Sequence, residues 1–125
     1  MIDLFTLLGS YTTTPTDQVS GAPAVTTPLA ETMSLVNQCV GSYDLTTDTV
    51  QTVSMGGITN ANVVIVKALG GKIRTRITSA DGSQQAIPVD GLLLLTAYSV
   101  PITAIDLLRT PGLHIIANVF IGQHG

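Results

Sequence analysis

Hydrophobic and polar positions alternate most clearly in residues 62–95, where two turn signals divide the pattern into short segments. Residues 63–66 are a run of β-branched side chains, and Gly70-Gly71 follows with two residues that tolerate positive φ. In residues 72–78 the basic side chains take one face and Ile and Thr the other. Asp81-Gly82 marks a second turn. We therefore predict a β-meander with one buried face and one cationic face.

The flanking regions add further short strands with turn signals between them. Residues 41–45 and 49–55 are expected to form a hairpin around Thr46-Thr47-Asp48. Residues 102–108 and 114–121 are two more strand candidates, whereas 29–40 is ambiguous between a short helix and a strand. The pattern predicts an all-β fold: a single antiparallel β-sandwich or jelly roll of about seven or eight strands.

The first 28 residues differ in composition from the rest of the chain. Residues 9–28 are rich in Thr, Ser, Pro and Gly, and their three prolines (15, 23 and 28) disfavour regular pairing in a sheet. One interpretation is a disordered tail. We prefer an extended arm over residues 1–28 that stays outside the sheet of the 29–125 domain. Its apolar tip would dock on a neighbouring chain through Ile2, Leu4, Phe5 and Leu7.

Composition favours assembly with other chains. Only 10% of the 125 residues are charged, mean hydropathy is +0.46 and the net charge is −3, whereas soluble domains average about 25% charged residues. Because so little charge covers the surface, we expect a homo-oligomer, with a trimer as the leading hypothesis. No apolar run approaches the roughly 20 residues that cross a bilayer, so no membrane partner is expected.

No motif for catalysis, a metal or a cofactor is present in the sequence. Gly70-Gly71-Lys72 lacks the remaining residues of a phosphate loop, and Asp81-Gly82-Ser83 lacks the further oxygen ligands of a calcium loop. We expect His114 in the core or at its rim and His124 in solvent. Asp44, Asp48, Asp90 and Asp106 are expected at strand ends, as turn caps. The protein is therefore predicted not to be an enzyme and to need no cofactor.

Four of the five basic residues lie in the central stretch: Lys67, Lys72, Arg74 and Arg76. One interpretation is a solvated strand face that also prevents mispairing of an edge. The other is an electrostatic contact with an acidic neighbour or with nucleic acid. A pI of about 4.9 and the absence of aromatic residues near these cations argue against nucleic acid as the partner.

Three segments resemble the small β-sandwich virion proteins of tailed bacteriophages. They are residues 71–95 (GKIRTRITSADGSQQAIPVDGLLLL), 102–112 (ITAIDLLRTPG) and 119–122 (VFIG). The resemblance lies in the strand pattern and in the local wording of the sequence between turns, and no functional residue can be carried over from it. It implies a capsid decoration (cement) protein, made in the host cytoplasm and located in the virion. Its partners would be itself and the major capsid protein or other virion proteins.

The same resemblance is also compatible with a different location of the protein in the virion. The chain would then be a tail, neck or tail-tip and fibre protein, including a receptor- or glycan-binding module. Sugar-binding sites usually stack their ligand on aromatic rings, and this chain has three Tyr, two Phe and no Trp. Exposed aromatic side chains around a pocket would favour this alternative.

Overall fold

The structure is a computed structural model that describes residues 3–13 and 25–124, with side chains from residue 33 onward. Its described part forms nine strands and no helix. The strands are β1 (Asp3–Thr13), β2 (Val25–Leu45), β3 (Gln51–Thr52), β4 (Val63–Leu69), β5 (Ile73–Ser79), β6 (Gln84–Val89), β7 (Leu92–Thr96), β8 (Ile102–Arg109) and β9 (Ile115–His124). The predicted all-β class is confirmed, and the ambiguous residues 29–40 belong to a strand.

The strands form two antiparallel sheets. One sheet has five strands in the order β1-β2-β9-β4-β7, and the other has four in the order β3-β8-β5-β6. Strands β2 to β9 pair in a nested way: β2 with β9, β3 with β8, β4 with β7 and β5 with β6. The pairs β4–β9 and β5–β8 then join these ribbons into sheets. This nested pairing is the jelly-roll form of the β-sandwich.

The predicted local hairpins are largely wrong. Strands β2 and β3 belong to different sheets, so Thr46-Thr47-Asp48 connects the two sheets and makes no hairpin. The expected meander of β4 to β7 is likewise divided between the sheets, and only β5 and β6 form a hairpin. The reason is that a turn fixes a change of direction but not the sheet in which the next strand finds its partner.

Gly70 illustrates such a connection between sheets. It has φ of 100°, and a Cβ at this position would lie 2.7 Å from the backbone oxygen of His114. The chain therefore crosses from β4 to β5 at a point where only glycine fits in conformation and in space. The predicted turn is present here, but it joins the two layers of the sandwich.

The core lies between the two sheets and is aliphatic. Its largest members with almost no exposure come from both layers: Val64, Val66, Ile73, Val89, Ile102, Ile105, Leu107, Ile115, Val119 and Ile121. The predicted alternation in β5 is confirmed, since Ile73, Thr75 and Ile77 are buried while Arg74 and Arg76 are exposed. Period-2 patterning therefore assigns the two faces of this strand correctly.

The N-terminal segment is part of the sheet, which corrects the expectation that it stays outside. Strand β1 pairs with residues 25–35 of β2, from Asp3 opposite Leu35 to Thr13 opposite Val25. Strand β2 also crosses residue 28, the expected end of the arm. Pro28 is tolerated because, among the described residues, this part of β2 has a neighbour on one side only. Pro15 and Pro23 lie outside the described residues.

Residues 3–13 and 25–34 thus form a two-stranded ribbon, the name used below. Leu35 is opposite His124, the last residue of β9, so within the described chain residues 25–34 pair with β1 alone. The ribbon continues β2 beyond the end of β9. Separately, no helix among the described residues has the length and apolar character needed to cross a membrane.

Candidate assembly surfaces

An apolar row crosses the outer face of the five-stranded sheet. Register aligns four side chains from neighbouring strands in this row: Val40, Phe120, Ile65 and Leu94. Val40 is 73% exposed, and the other three are half-buried. Leu92, 67% exposed, and the exposed Leu69 and Ile116 lie on the same face. A sandwich normally turns polar side chains to solvent, so this apolar outer face is a candidate surface for contact with another molecule.

A β-bulge extends this apolar character toward the ribbon. The register of β2 against β9 shifts between Leu35 and Asn37, so Leu35 shares the outer face with Phe120. Met33 and Leu35 are buried there with Val63 in a cluster separate from the core. Gly122 lies between Leu35 and Val63, and a Cβ on it would come within 2.7 Å of Val63 Cγ1. The missing side chain at Gly122 lets the cluster close over β9.

Sequence reasoning missed this face, although the sequence contains a signal for it. Residues 63–66 and 92–95 are apolar at four consecutive positions. A strand with one solvated face alternates, whereas a continuous apolar run indicates that both faces are covered. These runs form β4 and β7, which lie side by side in the five-stranded sheet.

The outer face of the four-stranded sheet is cationic. Lys72 and Arg74 are exposed, and their side chains form no ion pair or hydrogen bond with the described residues. Arg76 is paired: its Nε lies 3.0 Å from Oδ2 of Asp106 on β8. Arg74 and Lys72 are therefore the two basic side chains of this face that have no ion-pair partner among the described residues.

Two shallow depressions flank Arg74 on the cationic face. The first measures about 340 Å³, and its lining includes Lys72, Pro88 and Pro111. The second measures about 240 Å³, and its lining includes Val50 and Asp106. Leu108 and Arg74 line both. The arrangement combines free positive charge with a partly apolar floor, which suits an extended acidic segment better than a small neutral ligand.

The remaining predicted site residues are not brought together with this face. Lys67 is also exposed and unpaired among the described side chains, but it lies on the five-stranded sheet, opposite Leu92 in the register. Leu4, Phe5 and Leu7 belong to β1, the outermost strand of that sheet. Ile2 lies outside the described residues. The predicted set therefore divides among the ribbon and the two faces.

Ion pairs at one end of the sandwich account for several polar residues. His114 is exposed, which corrects its expected place in the core or at the rim, and its Nε2 pairs with Asp44 Oδ1. Arg109 Nε donates to Asp48 Oδ1 over 3.0 Å. Asp106 lies inside β8, so its expected role as a turn cap is wrong. These pairs connect β2 and the following loop to the end of β8 and to the residue before β9.

The Asp81 turn is explained by its own hydrogen bonds. Asp81 Oδ1 accepts from the hydroxyl of Ser83 over 2.6 Å and from its backbone N–H over 2.9 Å. These bonds stabilise the carboxylate and lower the pKa of Asp81 below its ordinary value. Within the described residues, no group of three His, Cys, Asp or Glu side chains is placed to hold a metal.

Comparison with known proteins gives no family assignment. No protein-family model, no curated protein and no solved structure matches the chain. Inferences about function therefore start from the apolar row, the cationic face and the ribbon.

Proposed function

We propose that the protein is a non-enzymatic structural subunit of a tailed-phage virion, where it decorates and stabilises the capsid. The observation that carries the proposal is the apolar row on the outer face of the five-stranded sheet. Val40 and Leu92 are about two-thirds or more exposed there, at 73% and 67%. Burying such side chains against a partner is worth about 1.5–3 kcal/mol each, so this face is suited to protein contact.

The virion assignment has two further supports. Residues 71–95 and 102–112 resemble small β-sandwich virion proteins in strand pattern. The jelly roll is an architecture that viral capsid proteins use, although many unrelated functions share it. In this proposal the apolar row faces the particle surface. The protein also forms homo-oligomers there, with a trimer as the favoured state.

A glycan-binding module at the tail tip receives less support. Among the described residues, no aromatic side chain lines either depression beside Arg74, and sugar sites usually contain one. The capsid position is therefore preferred to the tail tip.

The first experiment is quantitative mass spectrometry of purified particles. Hundreds of copies in each particle are expected for a decoration protein. A handful of copies would move the protein to the neck or tip, and its absence from particles would overturn the proposal.

The second experiment tests the face itself. The double variant Val40→Ser/Leu92→Ser should bind particles at least about tenfold more weakly, because it removes apolar area from the contact. Val100→Ser is the matched control, since Val100 is also exposed but lies in the loop before β8. Equal binding by the double variant and the control would rule out the apolar row as the attachment surface.

A further inference from the structure

Charge is unevenly divided between the two parts of the chain. Residues 1–34 contain Asp3, Asp17 and Glu31 and no Lys or Arg, whereas residues 35–125 contain five acidic and five basic residues. The whole formal net charge of −3 therefore belongs to the first 34 residues. Asp3 lies at the base of the ribbon, opposite Leu35, and Glu31 lies four residues further out, opposite Leu7. Asp17 lies outside the described residues.

The ribbon and the cationic face lie toward opposite ends of the sandwich. The ribbon departs where Leu35 is opposite His124 and Val63 is opposite Gly122. Lys72 follows Leu69, at the far end of β4, and its backbone oxygen accepts from Oγ1 of Thr110 over 2.6 Å. Since residues 25–34 continue β2 away from that end, the ribbon projects away from the cationic face of its own chain.

We infer that the acidic ribbon of one copy docks on the cationic face of a second copy, across the depressions beside Lys72 and Arg74. Opposite charge selects the pair of surfaces. Ten residues of strand at about 3.3 Å each carry the ribbon about 33 Å beyond the sheet, and Glu31, four residues beyond Leu35, lies about 13 Å out. Within the described chain, residues 25–34 pair only with β1 and β1 pairs only with β2, so docking would give their outer backbone groups partners or cover.

The inferred contact is heterologous, since two different surfaces meet. Repetition of such a contact gives a closed ring or a filament. A ring agrees with the proposed trimer. The inference rests on the proposed assembly function but uses a different face from the apolar row, so the two have separate tests.

Charge reversal on each side tests the contact by sedimentation of the full chain at low salt. Lys72→Glu/Arg74→Glu and Glu31→Lys should each weaken self-association by about tenfold. The combination of all three changes in one chain should restore part of the loss, because the charges are again opposite across the contact. Lys67→Glu is the matched control, since Lys67 is exposed on the other sheet and forms no ion pair with the described residues. It should associate like the wild type.

A second measurement does not depend on any variant. Carbodiimide treatment of a mixture of ¹⁴N- and ¹⁵N-labelled protein should give a mixed-isotope crosslink between Glu31 and Lys72. A monomeric wild type, or an oligomer that neither reversal weakens and that lacks this crosslink, would overturn the inference. If the protein is found on intact particles but its oligomer is neither weakened by the reversals nor crosslinked in this way, the proposed function would still stand. Absence from particles would overturn the proposed function and leave the self-contact standing.

Discussion

The sandwich and the ribbon are both made of antiparallel strands, but they differ in what surrounds those strands. Strand β9 has β2 on one edge and β4 on the other, and its inward side chains are buried between two sheets. Strand β1 has β2 as its only neighbour in the described chain, and residues 25–34 have β1 alone. An isolated two-stranded ribbon is marginally stable in water. The ribbon therefore needs another surface to pack against, whereas each sheet of the sandwich packs against the other.

The comparison also separates two kinds of surface chemistry. The ribbon contributes acidic residues, while the sandwich contributes an apolar row on one sheet and free cations on the other. The protein thus presents three surfaces of different chemistry around one closed core: the ribbon, the apolar row and the cationic face. Core substitutions should change stability, and surface substitutions should change association.

The largest expected effect is in the core of the sandwich. Ile105 is fully buried between the sheets, and Ile105→Ala should lower the free energy of unfolding by about 2–5 kcal/mol, because a cavity replaces close packing. Urea denaturation measures the change. Gln85→Ala, on an exposed site of β6, is the control. A loss no larger than that of the control would mean that the core tolerates the cavity and that the contrast with the ribbon is false.

A smaller effect is expected where the ribbon joins the sandwich. Gly122→Ala places a Cβ within 2.7 Å of Val63 Cγ1 and 2.9 Å of Leu35 Cδ1. Both neighbours are buried, so we expect a loss of about 1–3 kcal/mol in the free energy of unfolding. Asn118→Ala, at an exposed position on the same strand, is the comparison. An unchanged urea midpoint would show that the cluster of Met33, Leu35 and Val63 rearranges freely.

The smallest effect on stability is expected from removing the ribbon. Deletion of residues 1–32 keeps Met33 and Leu35, and the sandwich should then unfold in urea near the wild-type midpoint, since β1 has β2 as its only described partner. The same deletion should abolish self-association in sedimentation if the ribbon is the contact between copies. A truncated chain that fails to fold would contradict the separation of ribbon and sandwich. Retention of the oligomer would contradict the role given to the ribbon.

Some properties of this protein follow from the sequence alone. The β-branched runs and regularly spaced turn signals were enough to predict an all-β sandwich, because strand formation depends on local pattern and composition. The two faces of β5 were also predictable, since alternation at period 2 places Arg74 and Ile73 on opposite sides. The low charge also predicts partner chains, and that remains a prediction.

Only the tertiary structure decided which strands are neighbours and what each outer face carries. Strands β2 and β9 are separated by most of the chain, and no local pattern specifies their pairing. The apolar row exists because pairing brings Val40, Phe120, Ile65 and Leu94 into one line. The ribbon exists because β2 continues past the last residue of β9. These features depend on registers between distant segments, which are set by packing of the whole core and not by the residues of any single strand.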